Sequence, residues 1–112
     1  MSIDTLVLGE TIVISRLVFS WGPYTWDVDK AIKIASKKPV EKIRPKKEWI
    51  IHPITKKLTG KIDFEKPIIV GRDSNGREFI LDGNHRATVA LKKNWDFPVV
   101  KLTERETESC RI

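Results

Sequence analysis

The stretch "KPIIVGRDSNGREFILDGNHRATVALKKNWDFPVVKL", Lys66 to Leu102, decides the fold. "KPIIVG" and "REFIL" are short runs rich in β-branched and aromatic residues, and they read as two strands joined through "RDSNG". Asn75-Gly76 within that link is a strong hairpin-turn signal. Ala87, Ala90 and Leu91 then recur at helical spacing and mark a helix of about two to three turns. It stops at Asn94, a residue that accepts the left-handed conformation usually filled by glycine after a helix. "FPVVKL" is a further strand.

The junction between the second strand and the helix carries the chemistry. Leu81 ends the strand, and Gly83 permits a tight turn with close approach of a ligand to backbone. Asn84 is expected to cap the helix, with His85 and Arg86 in its first turn. A helix N-terminus presents unpaired N–H groups and the positive end of the dipole, which suits an anion. Arg86 adds a fork that matches phosphate oxygens, and His85 adds another donor. Asp82 repels phosphate, and its presence makes sense if a Mg²⁺ ion lies between the two. Gly83, Asn84, His85, Arg86 and Thr88 are therefore candidate phosphate ligands, and Asp82 is a candidate metal ligand. Asp82, His85 and Arg86 are the candidate catalytic residues. The same residues also suit an ordinary strand-to-helix turn with His85 and Arg86 on the surface.

Upstream, "TIVISRLVF" from Thr11 to Phe19 reads as a strand, and "SWGPYTW" as a loop with Gly22-Pro23 at its turn. Val28, Ala31, Ile32 and Ala35 predict an amphipathic helix from Asp27 to about Lys37. Asp27 and Asp29 suit the start of its dipole, Lys37 and Lys38 its end, and Pro39 stops it. From Val40 to Phe64 the pattern is weak, and "EWIIHPI" with "KLTGKI" forms a hairpin or a covering loop. Trp21, Tyr24 and Trp26 either pack in the core and loops or stack on a base; Trp49 and Trp95 are expected in the core. His52 reads as a strand-edge residue. The tail "TERETESCRI" either frays or forms a short helix.

These elements make a compact single α/β (α+β) domain, residues 1–112, with a small mixed sheet flanked by two or three helices. A chain of 112 residues buries roughly two-thirds of its unfolded surface, so it needs no disulfide. The single cysteine, Cys110, fits a reducing compartment, and no signal peptide or membrane-length apolar run is visible. The expected location is the cytoplasm, with no membrane partner. Two histidines and one cysteine cannot build a structural zinc site. The net charge of +6 is concentrated between Lys30 and Lys61, where eleven basic residues face only Glu41 and Glu48. Such a stretch attracts polyanions or serves as a solvated face; Lys33, Lys37, Lys46 and Lys47 are the candidate nucleic-acid contacts.

The stretch from Lys66 to Leu102 resembles the core of the ParB/sulfiredoxin superfamily. Members pair a "PIIV" strand with a hairpin partner, then carry a Gly-x-His-Arg or Gly-x-Arg-Arg turn, an alanine-containing helix and a "PVVV" strand. "VISRLVF" and "DVDKAIKIASKK" resemble the family's opening strand and first helix more loosely. The resemblance implies a cleft over the N-terminus of the helix near His85, with Mg²⁺ and ATP or another nucleotide as ligands. Sulfiredoxin, an ATP-dependent reductase, has a reactive cysteine where this chain has Asn84. The free serine kinase branch carries Asp-Gly-x-His-Arg, which "DGNHR" resembles most closely. That branch also uses a glutamate base near its first helix, where this chain offers only Asp27 or Asp29. ParB proteins bind CTP through a related turn.

Three functions follow as expectations. The first is Mg²⁺-dependent nucleotide hydrolysis or phosphoryl transfer at Asp82–Arg86. The second is DNA or RNA binding, including a ParB-like nuclease, through the lysine-rich midsection. The third is a regulatory or inhibitory module with a protein partner and no catalysis.

Overall fold

The computed structural model describes residues 18–51 and 65–112. In chain order they form β1 (Val18–Trp21), β2 (Tyr24–Asp27), α1 (Val28–Ala35), β3 (Glu41–Ile43), a 3-10 turn at Lys47–Trp49, β4 (Ile68–Arg72), β5 (Glu78–Asp82), α2 (Asn84–Lys93), β6 (Phe97–Lys101) and α3 (Glu104–Ser109). Residues 11–17 of the expected first strand lie outside the described residues, as do His52, Lys56, Lys57, Lys61 and the "KLTGKI" segment.

One sheet has four strands in the order β3-β6-β4-β5. β4 pairs antiparallel with β5 and parallel with β6, and β3 pairs antiparallel with β6. The mixed sheet and three helices give the α+β architecture that the sequence predicts. β1 and β2 form a separate antiparallel hairpin. "SWGPYTW" is thus not a loop: Gly22 takes φ +62° at the turn, and Trp21 and Tyr24 face each other as its last strand pair.

Strand periodicity sorts the core onto the two faces of the sheet. Ile69, Phe79, Leu81 and Val100 meet Ala31 and Ala35 of α1, Trp26 of β2 and Cys110 after α3. Ile68, Val70, Ile80 and Val99 point the other way and meet Ala87 and Ala90 of α2, with Trp49 and Phe97. Phe79 anchors the small hairpin, with its ring centroid 4.9 Å from Trp26, 5.5 Å from Trp21 and 5.9 Å from Phe19.

The ends of the helices follow their side chains. Asp27 caps α1 by accepting from Lys30 N. Asn94 ends α2 in the left-handed region at φ 54°. Around Asn75-Gly76 the hairpin forms as expected, but Gly76 alone takes positive φ, and its N–H donates to Asp73 O over 3.0 Å. Asp73 Oδ1 accepts from Asn75 N and Arg77 N, so the aspartate organises a wider turn than a two-residue Asn-Gly link.

The C-terminal tail is docked rather than frayed. Thr103 and Glu106 complete a reciprocal capping box at the start of α3. Thr107 is buried, accepts from Arg72 N and donates to Thr103 O. The chain then runs beside β2, with Cys110 O accepting from Asp27 N and Ile112 N donating to Thr25 O.

The two outlying tryptophans separate sharply. Trp49 is 0% exposed and donates its indole N–H to Glu78 Oε1, whereas Trp95, expected in the core, is 46% exposed on the loop after α2 beside the Lys93 ammonium. Trp49→Ala should therefore cost about 3–5 kcal/mol in a urea melt. Trp95→Ala should stay within about 0.5 kcal/mol of wild type.

Candidate functional site

β5 ends, and β6 begins, at the edge of the sheet where β4 starts, because β5 is antiparallel and β6 parallel to β4. α2 makes the connection, so its first turn stands beside Pro67 and Ile68. Gly83 makes this possible. It takes φ +100°, and a Cβ there would meet Ile68 Cα at 3.2 Å and Arg86 Nη2 at 3.1 Å. Gly83, not Asn84, is the N-cap residue. The left-handed step at Gly83 starts the helix one residue early, so Asn84 becomes its first residue and makes no cap bond. The amides of this first turn keep the open donors of any helix start.

Arg86 folds back over that turn. Its Nη2 donates to Pro67 O and to Asp82 Oδ2, each at 3.2 Å, which ties α2 to the start of β4 and the end of β5. The side chain is only 13% exposed, and its Nε is buried with no hydrogen-bond partner among the described residues. Asn84 Oδ1 is likewise buried and unpartnered. His85 is exposed beside them. Thr88 donates its hydroxyl to Asn84 O over 2.7 Å, an internal bond of the helix.

Asp82 and Arg86 form one wall of a cleft of about 470 Å³. Pro67, just before β4, and Ile69 of β4 line it, with Ile32 and Ala35 of α1 and Ser36 at that helix's end. Lys38, Val40 and Lys66 complete the rim. Gly83, Asn84, His85 and Thr88 do not line it. The cleft joins three cationic side chains and one carboxylate to an apolar wall on which Ile32 and Val40 are exposed.

Lys38 was legible only as the charge that ends a helix. The structure gives it a partner 68 positions away, because its Nζ donates to Glu106 Oε1, the carboxylate oxygen that also accepts from Thr103 N. Burial alone would raise the Glu106 pKa, but the Lys38 and Thr103 bonds outweigh it and hold the carboxyl below its ordinary value.

The other candidates fall elsewhere. Asp27 is a helix cap and Asp29 is exposed on α1; neither lines the cleft. Lys33 and Lys37 belong to α1 and the turn after it, on one side of the sheet. Lys46 precedes and Lys47 opens the 3-10 turn whose Trp49 packs on the opposite side. The four lysines therefore do not form one patch. Trp26 is core, while Arg77 lies over the Trp21 ring at 4.7 Å and Arg111 over Tyr24 at 4.9 Å. Cys110 is buried between α1 and α3, where loss of water pushes its thiol pKa up, and it does not line the cleft.

No family model, curated protein or solved structure matches the chain. Among the described residues no group of three or more His, Cys, Asp or Glu side chains is placed to hold a metal. Nor is any helix among the described residues long and apolar enough to cross a membrane.

The Lys38–Glu106 contact has a pH signature. The folded Glu106 pKa is lowered, so its contribution is present above the unfolded glutamate value and is lost as pH falls through the lowered folded value. Glu106→Gln keeps a side chain able to complete the capping box but loses the charge. Chemical denaturation should find the variant less stable than wild type at pH 7. That gap should close progressively as the pH is taken below about 4.3, the ordinary glutamate value.

Proposed function

We propose that this chain is a ParB/sulfiredoxin-like domain that binds a magnesium nucleotide in the Asp82–Arg86 cleft and hydrolyses or transfers its phosphoryl group. The observation that carries this reading is Arg86: a largely buried guanidinium with a spare Nε donor, at a helix start, on the wall of a cleft large enough for a small ligand. A buried donor without a partner is costly to maintain, and a phosphate oxygen is a natural acceptor for it. Lys38 and Lys66 supply further positive charge for a polyphosphate, and Ile32, Val40 and Pro67 offer an apolar surface to a base or ribose.

Asp82 fits the metal as a single carboxylate. Mg²⁺ commonly keeps several waters and uses one or two carboxylates together with substrate phosphates, so it needs no all-protein cage. Asp82 Oδ2 is engaged by Arg86, while Oδ1 has no partner among the described residues. When bound, the ion would neutralise charge on the phosphates. The chain's own part is orientation and electrostatic stabilisation: Arg86 holds phosphate oxygens, and Lys38, held by Glu106, adds positive charge on the rim. Cys110, buried away from the cleft, has no place in this chemistry.

The test is calorimetric titration of ATP with Mg²⁺ into wild type, Arg86→Ala and Arg86→Lys, each checked for folding by near-UV circular dichroism. Loss of a charge-assisted bond worth roughly 1.5–3 kcal/mol predicts at least about tenfold weaker binding for Arg86→Ala. Arg86→Lys keeps the charge but not the fork, and its affinity should lie between the two. Equal affinity in all three proteins overturns the reading.

A further inference from the structure

Asp82 and Arg86 hold each other in the place where a phosphate would be gripped. The two side chains pair at 3.2 Å on the same wall of the cleft, 26% and 13% exposed. Asp82 is the only carboxylate among the described residues lining that cleft, and it occupies one donor of the Arg86 fork, Nη2, with an anion of its own chain. A free anion that takes the fork must displace Asp82 and leave a partly buried carboxylate without its cation, which is unfavourable. A phosphate that arrives with a divalent cation brings a replacement partner for the same carboxylate.

The geometry points to Asp82 as a specificity-determining residue that makes the cleft select metal-bound polyphosphates over free anions by exchange of partners. Arg86 passes from Asp82 to a phosphate oxygen, and Asp82 passes from Arg86 to the metal. This rests on the nucleotide reading above. Three details suit such an exchange. Asp82 Oδ1 has no partner among the described residues, so a contact with the incoming cation can form before the ion pair breaks. Arg86 Nε is a second donor already without a partner. The bond from Arg86 Nη2 to Pro67 O holds the guanidinium in position while Asp82 leaves. Metal-free nucleotide, inorganic phosphate and a phosphodiester backbone lack the cation and meet Asp82 as a competitor.

The experiment is a double-mutant cycle on ATP binding, measured by calorimetry with Mg²⁺ and with EDTA, on wild type, Asp82→Asn, Arg86→Ala and the double variant. Wild type is expected to bind ATP at least about tenfold more tightly with Mg²⁺ than with EDTA. Asp82→Asn should bind ATP in EDTA about tenfold more tightly than wild type and gain little from Mg²⁺. In the Arg86→Ala background, Asp82→Asn should bring no gain, because there is no fork to release. The inference fails if Asp82→Asn leaves affinity in EDTA unchanged. It also fails if the gain persists in full without Arg86, since that is plain relief of repulsion. Wild-type binding of ATP with Mg²⁺ alongside either result leaves the nucleotide reading standing. Absence of binding by any form under both conditions overturns both. A second measurement needs no variant at Asp82, should that substitution unfold the protein. The Arg86 Nε–Hε resonance of wild type should shift on addition of ATP with Mg²⁺ and not with the same concentration of ATP in EDTA. An unchanged resonance with bound ATP and Mg²⁺ overturns the exchange.

Discussion

The parallel pairing of β4 with β6 is the constraint on which the rest of the described structure depends. Parallel neighbours cannot be joined by a tight turn; the chain must leave one strand and return to the starting edge before it can form the next. Here β5 makes the return and α2 makes the crossing, so the end of β5, the start of α2 and the start of β4 are forced together. A glycine stands at position 83 because that corner needs φ +100° and would press a Cβ against Ile68 Cα at 3.2 Å. Arg86 then closes the corner through Pro67 O and Asp82. The candidate site is thus a by-product of topology, since the place where the crossover begins is also where a helix start and a buried arginine meet a cleft.

The same sheet divides the positive charge. β4 and β5 are apolar on both faces, and each face is covered by different elements: α1, α3 and the β1–β2 hairpin on one side, α2 and the 3-10 turn on the other. A run of lysines that is continuous along the chain is divided by this layering. Lys33 and Lys37 travel with α1, and Lys46 and Lys47 with the segment around Trp49. Net charge steers a polyanion toward the molecule, but a phosphate backbone needs cations in register on one surface. Lys33 and Lys37 lie on one side of the sheet and Lys46 and Lys47 on the other, so no single surface carries all four.

What was legible in the sequence was what is decided locally. The "PIIV" and "REFIL" strands, the two longer helices, the Asn94 stop and the strand beginning at Phe97 all follow from residue type and spacing within a few positions. What was not legible depends on contacts far along the chain. "SWGPYTW" becomes a hairpin because Trp21 and Trp26 find Phe79. The polar tail becomes a docked helix because Thr107 reaches Arg72 and the last residues find β2. Nothing local distinguishes Trp49 from Trp95, since burial was decided by which loop the sheet covers. At the site, "DGNHR" marked the right corner, but one left-handed residue moved the cap from Asn84 to Gly83. The cleft's rim residue Lys38 meets Glu106, outside the cleft, only in three dimensions.

The cleft's electrostatics follow from these pairings. Two of its three cations already have anions of their own: Arg86 has Asp82, and Lys38 has Glu106. Such a cleft presents a weaker standing field than three bare cations would, so on the proposed function an anionic ligand would enter by exchanging partners rather than by neutralising free charge. The two pairs are not equivalent under exchange. Glu106 retains the Thr103 amide if Lys38 turns to a ligand, because the capping box belongs to α3 and not to the cleft. Asp82 has no described partner besides Arg86. Losing a lysine therefore costs Glu106 one of two bonds, while losing the guanidinium leaves Asp82 with none. On the nucleotide function proposed above, the energetic barrier to ligand entry is concentrated at Asp82, and a ligand that supplies a cation of its own overcomes it most readily.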